Sequence, residues 1–136
     1  KMTTEKTLSI IKPDAVERNL VDDIKNIFIS NGLKVIDNKK IHVSKEEAAE
    51  FYKEHQSKPF YEGLCNYLSS GPIFVMILEG NEAISLNRKL MGATNPINAE
   101  ENTIRKLYGI SIDKNSVHGS DSAESANKEI NFFFKK

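Results

Sequence analysis

The sequence predicts an α+β fold in which helices pack on one face of a small antiparallel sheet. Segments rich in β-forming residues alternate with segments of helical period, and the apolar run from Ile73 to Leu78 has the length of one buried strand. The chain has 136 residues, which is the size of one compact domain. We therefore predict a single domain over residues 1–136, in which Lys1, preceding Met2, is interpreted as a cloning remnant.

The first strand and helix are predicted from residue type and spacing. Thr7 to Lys12 is a short β-rich run that Pro13 ends, which indicates a strand. Apolar residues at helical spacing predict a helix from Leu20 to Ser30, and Asn31-Gly32 closes it as a C-cap.

The next strand is followed by a clear helix start. Leu33 to Val43 alternates loosely and predicts the second strand. Ser44 and Glu47 have the spacing of a capping box, in which each residue's side chain bonds the other's backbone N–H. The helix that this box opens is expected to run to about His55.

The middle of the chain predicts a helix, a central strand and another helix. A helical stretch begins at Pro59, and Ser70-Gly71-Pro72 stops it. The continuous apolar run that follows is typical of a strand buried on both sides. Glu82 to Met91 is predicted to be helical, whereas Gly92 to Asn115 shows no period and is predicted to be a long irregular segment of functional importance.

The C-terminal part predicts a short last strand, Ser116 to His118, and a last helix, Ser122 to Phe134, with Ser120 and Asp121 as capping residues. The element order is therefore β-α-β-α-α-β-α-loop-β-α. This order indicates a ferredoxin-like sheet with a βαββαβ core and added helices.

Composition excludes several classes of function. Lys plus Arg and Asp plus Glu each number 19, and a zero net charge argues against a dedicated nucleic-acid binder. No apolar run reaches the length of a membrane span, and no N-terminal segment resembles a signal peptide. The single cysteine, Cys65, fits a reducing compartment, so we expect a cytoplasmic protein. One cysteine and three scattered histidines offer no metal-ligand spacing, so no protein metal site is predicted.

His118-Gly119 lies directly before the predicted last helix. The N-terminus of a helix attracts anions, and a neutral imidazole is a nucleophile near physiological pH. Together these features suggest phosphoryl transfer through a phosphohistidine. The alternative is a loop histidine that only bonds a neighbouring backbone group. The chain has no G-x-x-x-x-G-K-[ST] phosphate loop, so it does not handle phosphate through that motif.

The segment N-S-V-H-G-S-D-S, Asn115 to Ser122, resembles the active-site signature of nucleoside diphosphate kinases. Other segments resemble further landmarks of that family in the same order, and the resemblance covers Thr4 to Phe134. These segments are Ile11–Val16, Lys58–Tyr61, Ser70–Pro72, Gly92–Pro96, Thr103–Arg105 and Ser122–Ile130.

This resemblance implies a phosphotransferase. The family moves the terminal phosphate of a nucleoside triphosphate such as ATP to a nucleoside diphosphate such as GDP, in a ping-pong reaction through a phosphorylated histidine. It uses Mg²⁺ held mainly by the nucleotide phosphates. The resemblance also implies a homo-oligomer, either a tetramer or a hexamer.

The resemblance also implies roles for individual residues. His118 aligns with the nucleophile and Glu129 with the carboxylate that orients it. Three cations align with phosphate-binding residues, and planar guanidinium groups suit that task. They are Lys12, Arg88 and Arg105.

Four further residues complete the implied site. Thr94 resembles a hydroxyl donor to phosphate, and Asn115 an amide that contacts the sugar. Tyr52 resembles a tyrosine near the phosphates, although packing within a helix explains it nearly as well. Phe60 aligns with the aromatic ring on which the base stacks, and its alternative is a core phenylalanine. Stacking on a ring predicts low selectivity among bases.

The sequence departs from the family pattern at two asparagines, and two other functions are alternatives to this one. Asn19 and Asn102 stand where the family commonly has glycine, and asparagine tolerates left-handed backbone better than most residues. The first alternative function is a catalytically silent regulator that binds nucleotide or nucleic acid on the same fold. The second is an interaction module whose motif residues serve packing.

Overall fold

The protein contains one four-stranded antiparallel sheet, seen in a computed structural model that describes residues 4–112 and 114–134. The strand order is β2-β3-β1-β4, and β1 pairs with β3 over the whole of β1. This order confirms the predicted α+β, ferredoxin-like arrangement. The strands are β1 (Thr4–Ile11), β2 (Lys34–Ile41), β3 (Ile73–Asn81) and β4 (Val117–Gly119).

Helices connect the strands and cover the sheet. The α-helices of the described residues are α1 (Pro13–Glu17), α2 (Val21–Ser30), α3 (Lys45–Phe51), α4 (Tyr61–Leu68), α5 (Ala83–Met91), α6 (Ile104–Tyr108) and α7 (Ala123–Phe134). Two short 3₁₀ turns lie at Lys53–His55 and Pro96–Asn98.

The core has two apolar layers, one on each face of the sheet. Ile11 of β1 packs with Phe28 of α2 and Met91 of α5, whereas Ile10 packs with Leu68 of α4 and Phe133 of α7. The prediction that helices cover one face is therefore wrong. Successive residues of a strand point to opposite faces, so the apolar run of β3 and the fully buried residues Thr7–Ile11 of β1 require cover on both faces.

Three helical regions differ from the predictions. Pro13 ends β1 as predicted but also opens α1, because proline suits the first position of a helix. The capping box at Ser44 is present, yet its helix ends at Phe51 and continues only as a 3₁₀ turn. The segment 92–115 is not wholly irregular, because Thr103 caps the five-residue helix α6, which is too short to show a period.

The last helix is capped one residue later than predicted. Ser122 Oγ accepts a hydrogen bond from Ser125 N at 3.1 Å, which is the geometry of an N-cap. Ser120 and Asp121 were predicted as the caps, but their side chains bond Glu129 and Ser125 Oγ instead.

Asparagine takes the left-handed conformation at both positions where the resembled family commonly has glycine. The φ angles of Asn19 and Asn102 are 60° and 69°. The expectation that these two departures leave the backbone intact is thus confirmed. Among the described residues, no helix has the length and apolar character needed to cross a membrane.

Candidate active site

His118 lies on β4, opposite Ile10 of β1, and its side chain points toward α7. Its Nε2 is 3.0 Å from Glu129 Oε1, and Ser120 Oγ donates a second hydrogen bond of 2.8 Å to the same oxygen. A carboxylate oxygen only accepts hydrogen bonds, so we assign the ring proton to Nε2. The lone pair of the neutral imidazole is then on Nδ1.

Gly119 lets α5 approach the strand that carries His118. A Cβ atom at Gly119 would lie 2.2 Å from Asn87 Nδ2 and 3.0 Å from Met91 Sδ, so any side chain there would displace these two side chains of α5. The glycine beside the histidine therefore has a packing cause. The close approach also brings the residue after Asn87, Arg88, to the same side of the molecule as His118.

A cavity of about 360 Å³ opens in front of His118. Its wall contains eight of the nine residues predicted for the site. They are Lys12, Tyr52, Arg88, Thr94, Arg105, Asn115, His118 and Glu129. The remaining lining residues include Glu54, His55, Ile112 and Asp121.

Lys12 and Asn115 meet at one side of this cavity. Lys12 follows directly on β1, and its Nζ donates to Asn115 Oδ1 at 3.0 Å. Asn115 Nδ2 donates to the backbone oxygens of Thr94 and Ile112 at 3.0 and 3.1 Å. One buried amide thus links the end of β1 to two points of the 92–115 segment.

Arg105 is a buried cation that is anchored to the backbone. Its Nη1 donates to Gly92 O at 3.0 Å and its Nη2 to Val117 O at 2.8 Å. Burial first, and then the charge of Arg88, lower the pKa of Arg105 to about 10. The guanidinium is therefore still charged at neutral pH, and two neighbouring positive groups favour an anion between them.

Tyr52 is both a packing residue and part of the cavity wall. Its ring is 5.0 Å from that of Phe51, centroid to centroid, and belongs to the apolar layer under α3 and α4. Burial, followed by the nearby charge of Glu129, raises the pKa of Tyr52. The phenol is thus neutral and keeps its O–H group as a donor.

Comparison with known proteins identifies the family. The family model described as nucleoside diphosphate kinase matches residues 5–136. The chain belongs to the nucleoside diphosphate kinase family. It is 54% identical to the nucleoside diphosphate kinase of Rhizorhabdus wittichii over 134 residues, 98% of this chain and 96% of that one. It is 52% identical to that of Persephonella marina over 135 residues, 99% and 96% of the two chains.

Solved structures of nucleoside diphosphate kinases have the same fold. The Aquifex aeolicus enzyme superimposes with a TM-score of 0.96 at 39% identity, over 98% of this chain and 96% of that one. The enzyme from Encephalitozoon cuniculi gives 0.94 at 38% identity, over 97% and 90% of the two chains.

Phe60 is the one predicted residue that does not line the cavity. Its side chain is 48% exposed, so the alternative of a core phenylalanine is wrong. The ring lies 5.8 Å from that of His55, which does line the cavity, and Lys58 Nζ is 6.0 Å from its centroid. Phe60 therefore stands beside the cavity with an exposed ring.

The sequence did not indicate every residue of the site. Ser120, just past the end of β4, bonds Glu129 but was interpreted as a cap, although its place two residues after His118 was a usable signal. Glu54 and His55 were placed only at the end of a helix. The expected anion site at the start of the last helix is partly filled by the protein, because Ser122 caps it and the Asp121 carboxylate lies there.

Proposed function

We propose that this chain transfers the terminal phosphate of a nucleoside triphosphate to a nucleoside diphosphate through a phosphorylated His118. The observation that carries the proposal is the 3.0 Å contact between His118 Nε2 and Glu129 Oε1 in a cavity that also contains three cations. A nucleophile, the group that orients it and an anion-binding wall are thus present in one place.

The geometry supports attack by Nδ1. Because Nε2–H donates to Glu129, the Nδ1 lone pair is available to bond the terminal phosphorus. That bond forms as the bond from phosphorus to the bridging oxygen breaks, and the diphosphate leaves with the electron pair. A terminal phosphate oxygen of the second diphosphate then attacks the same phosphorus, and the electrons of the N–P bond return to His118.

The substrate-binding residues are proposed with distinct tasks. Lys12, Arg88 and Arg105 bind the phosphates, and the neutral hydroxyl groups of Tyr52 and Thr94 donate to phosphate oxygens. Asn115 contacts the sugar, and the base stacks on the exposed ring of Phe60.

Magnesium is proposed as the metal of the nucleotide substrate. Among the described residues, no group of three or more His, Cys, Asp or Glu side chains is arranged to hold a metal ion. A metal carried mainly by the phosphates fits this wall, in which the carboxylates of Glu54 and Asp121 supply negative charge. Bound Mg²⁺ neutralises charge on the phosphate oxygens.

A homo-oligomer, tetramer or hexamer, in the cytoplasm is also proposed. Several large apolar side chains are exposed on a single chain, which favours burial against other copies. They include Ile29, Ile36, Ile97, Leu107 and Ile110. Light scattering after gel filtration is expected to give four or six times the 15.3 kDa of one chain, and a mass of one chain would contradict the proposal.

The decisive experiment is a pulse and chase with terminally radiolabelled ATP and magnesium. Acid-labile label is expected on the protein, and unlabelled GDP is expected to remove it as labelled GTP. His118→Ala should abolish labelling without loss of the fold, whereas His42→Ala, on another surface, should label normally. A folded wild-type protein that takes no label but is thermally stabilised by nucleotide would instead be a silent regulator.

A further inference from the structure

Ser116 forms a sharp turn just before the strand that carries His118. Its φ angle is 75°, and Val117 N donates to Asn115 O at 2.9 Å. This is a γ-turn with a positive φ, a rare and strained conformation for a residue with a side chain. Asn115, which bonds Lys12, is the first residue of the turn.

Several hydrogen bonds hold the turn. Ser116 Oγ donates to Asp14 Oδ2 at 3.0 Å, and Lys12 N donates to Ser116 O at 2.8 Å. Arg18 Nη2 also approaches Ser116 Oγ at 3.4 Å. The Ser116 side chain is fully buried and Asp14 is 6% exposed, so water does not compete for this hydrogen bond.

Asp14 is held by Tyr67 of α4 and by Arg18, which in turn bonds the end of α6. Tyr67 of α4 donates its hydroxyl to Asp14 Oδ1 and accepts from Asp14 N at 2.9 Å. Arg18 Nη2 lies 3.2 Å from Asp14 Oδ2 and donates to Tyr108 O, at the end of α6, at 2.6 Å. The carboxylate is thus a fixed anchor shared by α1, α4 and α6.

Apart from Lys12, which bonds Ser116 through its backbone N–H, none of the residues that hold the turn lines the cavity in front of His118. An effect of Asp14 or Ser116 on chemistry therefore has to pass through the turn and the Lys12 backbone bonded to it. A change of φ at Ser116 would rotate Asn115 relative to β4. That strand has only three residues paired with β1, which gives it little resistance to such a shift.

We propose that Asp14 and Ser116 are a positioning pair for the transfer reaction. Their hydrogen bond holds the left-handed turn that directs Asn115 to Lys12 and sets His118 before the cavity. The inference rests on the proposed function, because its readout is phosphorylation of His118.

The test compares two substitutions at the turn in the full chain. Ser116→Ala removes the hydroxyl but keeps the strained φ, whereas Ser116→Gly removes the hydroxyl and adopts this φ without strain. At saturating ATP and Mg²⁺, we expect the single-turnover rate of His118 phosphorylation to fall about 10-fold in Ser116→Ala and less than about 2-fold in Ser116→Gly. The KM for ATP should change less than the rate.

A double-mutant cycle tests whether Asp14 acts through the turn. Asp14→Asn should lower the rate about 10-fold in the wild-type background but only about 2-fold together with Ser116→Gly. The control is Phe28→Leu, a core change in α2 that removes none of the hydrogen bonds holding the turn, which should lower the melting temperature without changing the rate of the folded protein.

The outcomes separate this inference from the proposed function. If the folded wild-type protein takes no label, the proposed function fails. If the wild type is labelled but Ser116→Ala and Ser116→Gly react at equal rates, the positioning pair is refuted. An equal effect of Asp14→Asn in both backgrounds would also refute it. If Asp14→Asn does not fold, the comparison of Ser116→Ala with Ser116→Gly still tests the inference.

Discussion

The two sides of the cavity are built over very different distances along the chain. The nucleophile side has His118 and Glu129 in the cavity wall and the buried Ser120 bonded to Glu129, and its hydrogen bonds join residues 9 and 11 positions apart. The phosphate side, formed by Lys12, Arg105 and Asn115, depends mainly on contacts that span 12 to 103 positions, although Asn115 also bonds Ile112, three positions away. One strand followed by one helix builds the first side, whereas the second exists only when distant segments have packed.

This difference has an energetic consequence. On the nucleophile side, the hydrogen bonds connect side chains that the backbone of β4 and α7 already places. On the phosphate side, Arg105 and Asn115 bond backbone oxygens and thereby hold the 92–115 segment in its shape. We therefore expect activity and stability to change together on the phosphate side and to be separable on the nucleophile side.

Among the variants that test this difference between the two sides, Arg105→Lys is expected to have the largest effect. Lysine keeps the charge, but its single nitrogen lacks the two separate Nη groups with which Arg105 reaches Gly92 O and Val117 O. Buried hydrogen bonds from a charged group contribute about 1.5–3 kcal/mol each. We expect kcat/KM to fall about 100-fold and the melting temperature to fall by about 5 °C or more, measured by steady-state kinetics and calorimetry.

Arg88→Lys is the matched control, because Arg88 is exposed and lies in the same cavity wall. It should lower kcat/KM about 10-fold and leave the melting temperature nearly unchanged. An unchanged melting temperature in Arg105→Lys would break the proposed coupling of activity and stability on the phosphate side.

The same difference in separation along the chain explains which features the sequence could predict from physical pattern alone. The apolar run of β3 and the capping box of α3 are local signals, and both predicted their elements. The contact between His118 and Glu129 was implied by the family resemblance, and the position of Glu129 two turns into the last helix is compatible with it. The resemblance also marked Asn19 and Asn102, and the tolerance of asparagine for left-handed backbone agrees with their φ angles.

Long-range contacts were not visible in the same way. Lys12 and Asn115 are 103 positions apart, and only the family resemblance placed them in one site. Helix α6 was missed because five residues carry no period, and the positive φ of Ser116 gives no signal in a residue that usually avoids it. Helix cover on both faces, in contrast, had a local signal in the apolar run of β3, which the prediction of one covered face did not use.

A smaller effect is expected on the nucleophile side for Glu129→Gln. An amide oxygen still accepts from His118 Nε2, but a charge-assisted hydrogen bond becomes a neutral one of about half the strength. We expect kcat to fall about 10-fold, or ~1.4 kcal/mol, with little change in melting temperature. Glu124→Gln, exposed on the same helix, should leave kcat unchanged, and a large loss of stability in Glu129→Gln would contradict the separation of the two properties.

The smallest effect is expected for Ser120→Ala. The hydroxyl donates to the same oxygen of Glu129 that accepts from His118, so its loss leaves Glu129 held by one partner fewer. No buried group loses its only partner, and we therefore expect kcat to fall only about 3-fold, or about 0.6 kcal/mol.

Two positions later, Ser122→Ala provides the contrasting control. Ser122 caps α7 without bonding Glu129, so its removal should cost about 1 kcal/mol of stability and leave kcat unchanged. Kinetics and thermal melts of the two variants are expected to show that Ser120 affects kcat and that Ser122 affects stability. If Ser120→Ala lowered the melting temperature as much as Ser122→Ala while kcat stayed constant, Ser120 would be a structural residue. The nucleophile side would then depend on packing in the same way as the phosphate side.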